Sequence, residues 1–309
     1  MKLSKDQISI LAKGFCMGCA DIVPGVSGGT VALVTGIYDR LIGAISSVNK
    51  KFLSLLISME FKKALEHIDF YFLLPLMIGV FSAIISMAKL MHFLMNEYGV
   101  YTWSLFFGLI LASIIFVAKQ VNNIKKFKQI FFVILGTAIG HAVVTLIPVE
   151  TPHSFFYVFL AGSIAICAMI LPGISGSFIL LILGKYLYIT SAIKAPLEGD
   201  NLLTIITFAA GCLVGLLLFS KLLNYLLKNH HNPMMSILVG FMLGSLQKIW
   251  PWKEVLKEKM IRGKTHILEE RLVWPSNIGA EETIAFVIMG VGFVLVFMIE
   301  KKVNKKALD

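Results

Sequence analysis

Charge is what this 309-residue sequence lacks: 15% of its residues are Asp, Glu, Lys or Arg, against about 25% in an ordinary soluble domain. With 57% of the chain hydrophobic, there is too little polar surface to cover a core, and a water-soluble globular protein is excluded. Cysteine is scarce as well. Cys16, Cys19, Cys167 and Cys212 all lie in apolar stretches, and no second Cys or His pair completes a zinc-ligand spacing. They read as small packing residues, and no metal or cofactor is expected. The start, MKLSKDQISILAKGF, has a basic lead but no short apolar core ending at a small-residue cleavage site, so it is not read as a removed signal peptide. The net charge of +10 comes from short basic clusters between apolar segments, not from a polar face interleaved with aromatics. No nucleic-acid partner is expected, and the charge reports membrane topology.

What is present is apolar length. Runs at 70–95, 100–119, 129–148, 202–227, 233–249 and 281–300 compare with the roughly 20 residues a helix needs to cross a bilayer. The expected fold is an all-α polytopic membrane protein. Its two halves, 1–150 and 151–309, share motifs. PGVSG at Pro24–Gly28 recurs as PGISG at Pro172–Gly176, and each is followed at the same distance by Gly-x-Tyr, Gly36/Tyr38 and Gly184/Tyr186. Gly79, Lys89 and Gly108 match Gly211, Lys221 and Gly240 at one constant offset, and a weaker match pairs Val133–Gly136 with Val287–Gly290. Anchors kept in the same order point to an internal duplication.

Each half opens with an unusual segment, 7–47 and 154–193, in which an apolar arm meets Pro-Gly-x-Ser-Gly before a second arm begins. An arm of about 15 helical residues reaches roughly 23 Å, short of a hydrocarbon core of about 30 Å. Broken backbone at that depth survives only where protein or a water-filled cavity satisfies it, so both segments are expected to be re-entrant hairpins. Three full crossings per half then make the repeat an inverted one. With the N terminus cytoplasmic, the inner segments hold 17 Lys/Arg against 7 Asp/Glu and the outer segments 8 against 10, which satisfies the positive-inside rule and puts both termini in the cytoplasm. The 250–280 loop is the exception, with seven basic residues from Lys248 to Arg271 on the outer side. Its beginning, KIWPWK, places Trp250 and Trp252 as an interfacial belt, followed by an amphipathic surface stretch.

Chemistry is expected at the two tips. In the first, Gly28 and Gly29 allow close backbone approach beside Ser27 and Thr30; in the second, Ser175, Gly176 and Ser177 repeat the arrangement. Backbone N–H groups where a helix begins attract anions, and two such tips meeting at mid-membrane are a transporter arrangement. The plainer reading is that the serines cap helices and the glycines permit packing. Charged residues inside apolar windows are functional candidates. Asp21 is the only acid deep in either hairpin and is the candidate proton carrier, with a lysine partner as its structural alternative. Arg40 and Lys185 follow their tips and are candidates to bind phosphate or to anchor at the interface. Lys89 and Lys221, near span ends, are expected to snorkel. His141 reads as a packed histidine, and Gly14/Gly18, Gly136/Gly140, Gly211/Gly215 and Gly240/Gly244 as close helix contacts.

The first tip with its flanks, GCADIVPGVSGGTVALVTGIYDRLI (Gly18–Ile42), resembles the defining sequence of the bacterial and archaeal polyprenyl-phosphate transporter family, the undecaprenyl-phosphate translocases. LPGISGSFILLILGKY from Leu171 and LVGFMLGSLQKIWPWK from Leu238 are similar to that family's other recurrent stretches. The resemblance implies a non-enzymatic carrier in the plasma membrane that returns a polyprenyl phosphate used in cell-wall synthesis from the outer to the inner leaflet. It places Asp21, Ser27, Gly28, Gly29, Thr30 and Arg40 on the family's first motif and Ser175, Ser177 and Lys185 on its second. Two other classes stand beside it: a membrane-embedded polyprenyl-diphosphate phosphatase, which would carry an arginine where Gly28 stands and paired glutamates in a span, and a small-anion channel or transporter. Oligomeric state is left open by the sequence.

Overall fold

A computed structural model of the chain describes residues 5–23, 26–146, 149–261, 264–275 and 277–306. Pro24 and Gly25 of the first tip, the end of the 129–148 run and both extreme termini lie outside them. The first half runs through α1 (Lys5–Ile22), α2 (Gly28–Val34), α3 (Tyr38–Ser46), α4 (Lys50–Ile57), α5 (Phe61–His67), α6 (Phe70–Glu97), α7 (Gly99–Lys119) and α8 (Phe127–Val144). The second half has α9 (Phe155–Ile170), α10 (Gly176–Ile182), α11 (Tyr186–Lys194), α12 (Asn201–Asn229), α13 (His231–Ser245), a 3-10 turn (Leu246–Ile249), strands β1 (Lys253–Ile261) and β2 (Lys264–Leu272), and α14 (Ala280–Lys306).

Among the described residues, α6, α7, α8, α12 and the Ala280–Met298 part of α14 are long and apolar enough to cross a bilayer. The protein is a helical membrane protein. The sixth expected crossing, 233–249, is shorter as an α-helix, because α13 has 15 residues and is prolonged only by the 3-10 turn. Outward faces of the long helices stay apolar and uncovered, as Phe81 on α6, Ile134 on α8 and Leu213 on α12 show; lipid, not protein, is their natural neighbour.

Glycine decides how the long helices meet. A Cβ on Gly14 would strike the carbonyl of Leu76, and one on Gly79 the carbonyl of Leu11, so α1 and α6 lie backbone to backbone. At the corresponding positions of α9 and α12, Gly162 faces the carbonyl of Phe208 and Gly211 that of Phe159. Likewise, Gly136 and Gly240 close the α8–α13 contact against Ile237 and Val133, while Gly292 and Gly108 close α7–α14 against Leu105 and Met289. The packing therefore aligns Gly136 with Gly292, two residues away from the Gly290 of the weaker sequence match; a Cβ on Gly290 meets nothing within 4 Å. Apolar residues tolerate such a slip in sequence, whereas a carbonyl against a glycine does not.

Four expectations change. The second arm of each hairpin is not one helix: α2 and α10 each end after seven residues, at Gly36 (φ 68°) and Gly184 (φ 64°), where left-handed backbone suits a residue with no side chain. α11 then leaves α10 at 112°. The stretch after Trp252 is an antiparallel hairpin, with Lys253 opposite Leu272 and a register shift between Val255 and Lys257. His141 is exposed; on α8 the adjacent Gly140 takes the face toward α13 and Phe241, which turns His141 away from it. Of the cysteines, all free, Cys16 is exposed rather than packed, while Cys167 and Cys212 lie in the α9–α12 contact with sulfurs toward the carbonyls of Gly215 and Gly162.

Candidate functional site

The two tip segments touch. The last carbonyls of α9 have no partner within their own helix, and the first tip supplies several. Ser27 Oγ lies 3.2 Å from the carbonyl of Met169 and 3.1 Å from that of Leu171, and can donate to either. Tyr38 Oη donates to Ile170 O at 3.3 Å, and Thr30 Oγ1 accepts from Gly173 N at 3.2 Å. Gly29 makes this approach possible, since a Cβ there would sit 2.5 Å from Ile170 O. Ser27, Gly28, Gly29 and Thr30 are all buried.

Asp21 closes the first tip from within. Its Oδ1 accepts from Gly28 N at 2.7 Å, and a Cβ on Gly28 would fall 2.6 Å from Oδ2. Gly29 N donates to Ser27 Oγ and Thr30 N to Ser27 O, so the first three donors of α2 are occupied by the tip's own groups. At the second tip Ser175 caps α10 by accepting from Phe178 N at 3.3 Å, and its Oγ lies 2.6 Å from Ser177 Oγ. Among the described residues none accepts from Gly176 N or Ser177 N. Gly173, with φ +84°, lets the loop run against Ser245 at the end of α13.

Arg40 and Lys185 are not brought to the tips. Arg40 on α3 forms a two-pronged pair with Asp69, Nε to Oδ2 at 2.6 Å and a terminal nitrogen to Oδ1 at 3.0 Å, and lies over the Phe72 ring. Half of its side chain is exposed. Lys185, just before α11, is fully buried and donates to Thr151 O (2.8 Å) and Pro152 O (2.7 Å), with His153 Nδ1 at 3.0 Å. Both cations hold structure in this conformation. Lys89 and Lys221 are exposed on their helices, as snorkelling requires.

Sequence reasoning missed two contributors. Tyr38 was visible as half of a recurring Gly-x-Tyr, yet only the fold shows that its hydroxyl reaches across to α9, while its counterpart Tyr186 is exposed. The 151–153 loop carries no motif, because two of its three contacts to Lys185 are backbone carbonyls.

Comparison with known proteins gives the chain a family. Residues 17–266 match the family described as undecaprenyl phosphate translocase-like. A polyprenyl-phosphate transporter of Vibrio cholerae serotype O1 is 38% identical over 305 residues, covering 96% of this chain and 97% of that protein. One of Staphylococcus aureus is 36% identical over 260 residues, covering 79% and 86%. No solved structure matches. With the tip motifs, their mutual contact and nearly the whole chain in register with such relatives, this protein belongs to the undecaprenyl phosphate translocase-like family.

Proposed function

We propose that the chain is a carrier, not an enzyme, that moves a polyprenyl phosphate from the outer to the inner leaflet of the plasma membrane for reuse in cell-wall synthesis. The carrying observation is the match over residues 17–266 to a translocase-like family, supported by two tips hydrogen-bonded to each other through Ser27, Thr30 and Tyr38. In this reading the halves 1–150 and 151–309 are inverted repeats, each a re-entrant hairpin followed by three crossings, with both termini cytoplasmic. The recurring glycine-to-carbonyl contacts support it. The phosphate is held at the tips, first at the open donors of Gly176 and Ser177 beside Ser175, while the prenyl chain stays in lipid; Ser27, Gly28, Gly29 and Thr30 join only in a conformation that frees them from Asp21 and the tip's own bonds, and Arg40 and Lys185 only in one that frees them from Asp69 and the 151–153 loop.

Bringing a phosphate anion inward works against a potential negative inside, at about 2.3 kcal/mol per charge per 100 mV. A proton carried by Asp21 offsets that cost, and its place on Gly28 N makes its charge state matter to the tip. The test is reconstitution of the purified chain in liposomes, following leaflet movement of labelled polyprenyl phosphate and, in parallel liposomes, phosphate release from polyprenyl diphosphate. Movement without release is expected; release from the diphosphate without movement of the monophosphate would establish the phosphatase instead. Asp21→Asn should still bind the lipid yet lose the response to an imposed pH gradient. Wild-type movement that ignores the gradient would return Asp21 to a structural role.

A further inference from the structure

Where the end of α13 meets the β-hairpin, two lysines share one carboxylate. Lys248 Nζ lies 3.2 Å from Glu270 Oε2 and Lys253 Nζ 3.7 Å from the same oxygen; Lys253 also donates to Lys248 O at 2.7 Å. All three side chains are mostly covered, at 29%, 11% and 21% exposure for Lys248, Lys253 and Glu270. The other hairpin pair, Arg271 with Glu254 at 2.8 Å, balances itself. One positive charge is thus left over under cover, among the described residues, where an uncompensated charge is expensive.

The walls are aromatic. Lys253 Nζ stands 4.6 Å over the Trp103 ring of α7, and Lys248 Nζ 5.2 Å over the Phe178 ring of α10. Trp250 stacks edge-on against Phe107 and Trp274 behind them. Phe178 follows Ser177 of the second tip directly, and Ser245, at the start of the 3-10 turn that carries Lys248, touches Gly173 of the same tip. The cluster therefore lies between the hairpin end of the bundle and the tips.

We propose that Lys248 and Lys253 form a binding site for a phosphate monoester, the headgroup of a polyprenyl phosphate on its way to the tips, with Glu270 as the built-in counter-ion that the headgroup displaces. The proposal rests on the carrier reading above for the identity of the lipid. A phosphate dianion supplies what the cluster is short of, since two ammonium groups meet two charges and compact lysines serve as point-charge phosphate ligands. The rings offer an apolar border for the first prenyl units. Burial lowers the Lys253 ammonium to about 8, with Glu270 opposing that fall and Lys248 adding to it. The site therefore loses charge as pH rises through that value.

The test uses the full chain in nanodiscs, titrated with a polyprenyl phosphate and read by the fluorescence of the tryptophans lining the site, with thermal unfolding followed in parallel. Lys248→Gln and Lys253→Gln should each raise Kd about tenfold, the loss of one charged hydrogen bond, while Glu270→Gln should lower it. In the wild type, affinity should fall between about pH 7 and about pH 9 as Lys253 loses its proton near 8, a readout that needs no variant to fold. Inorganic phosphate should compete, and phosphatidylglycerol, a diester with one charge, should not. Wild-type affinity in both folded glutamine variants, or a flat pH profile, overturns the site. Equal competition by phosphatidylglycerol overturns its preference for a monoester, and weaker binding by Glu270→Gln overturns the counter-ion role. A wild type that binds no polyprenyl phosphate at all would instead overturn the carrier reading.

Discussion

The two tips share Pro-Gly-x-Ser-Gly and a serine cap, yet they differ in what they have already bound. In the first, Asp21 stands on Gly28 N; at the matching place before the second tip the sequence has Met169, and the donors of Gly176 and Ser177 have no acceptor among the described residues. A second difference follows the short helices. Where Ile37, nearly buried, precedes α3, the second copy has Lys185, wholly buried and tied to Thr151 and Pro152. The same local motif therefore closes on its own carboxylate in one half and stays without one in the other, where the cation is spent on the scaffold. A repeated motif does not imply repeated electrostatics.

The sharpest way to test that contrast is to make the halves alike. Lys185→Ile restores the residue of the first copy and strands two carbonyls in a buried place; a loss of about 2–5 kcal/mol is expected, measured by thermal or denaturant unfolding in detergent. A neutral outcome would mean that the 151–153 loop finds other donors. Next comes Asp21. Asp21→Ala leaves Gly28 N unpaired and should cost about 1–3 kcal/mol, whereas Asp21→Asn keeps an acceptor oxygen and should stay close to wild type in unfolding. Equal losses in both would show that the charge, and not the hydrogen bond, holds the tip.

The alignment of the halves has its own pair of variants. Gly292→Ala forces a Cβ against the Leu105 carbonyl and Gly290→Ala meets nothing, so the first should cost about 1–3 kcal/mol as overpacking and the second almost nothing. The reverse order would restore the Gly136–Gly290 match. A small effect on stability is also expected for Arg40→Ala, because a half-exposed pair with Asp69 contributes at most about 1 kcal/mol. Should the same variant weaken polyprenyl-phosphate binding by about 1.5–3 kcal/mol in a titration, Arg40 would have to leave Asp69 for the substrate during the cycle.

Much of the membrane architecture was legible along the chain. Apolar runs near 70–95, 100–119 and 202–227 reappear as α6, α7 and α12 within a few residues, and Gly14/Gly18, Gly211/Gly215 and Gly240/Gly244 do lie against neighbouring backbones. The break before Ser27 and before Ser175 was readable too, with both serines serving as caps. Less readable was the second break at Gly36 and Gly184, because Gly-x-Tyr in an apolar run suits a continuing helix as well as a corner.

Sequence alone determined what depends on neighbours in the chain: how long an apolar run is against the thickness of a bilayer, where proline and glycine stop a helix, and which serine caps the next one. Only the tertiary structure decided where each charge goes. Arg40 finds Asp69 across 29 positions, Lys185 finds carbonyls 33 and 34 positions back, and Lys248 and Lys253 converge on Glu270 from across a hairpin. The reason is physical. A charge takes whichever partner the packing brings within hydrogen-bond reach, and the more deeply it is buried the more it costs to go without one.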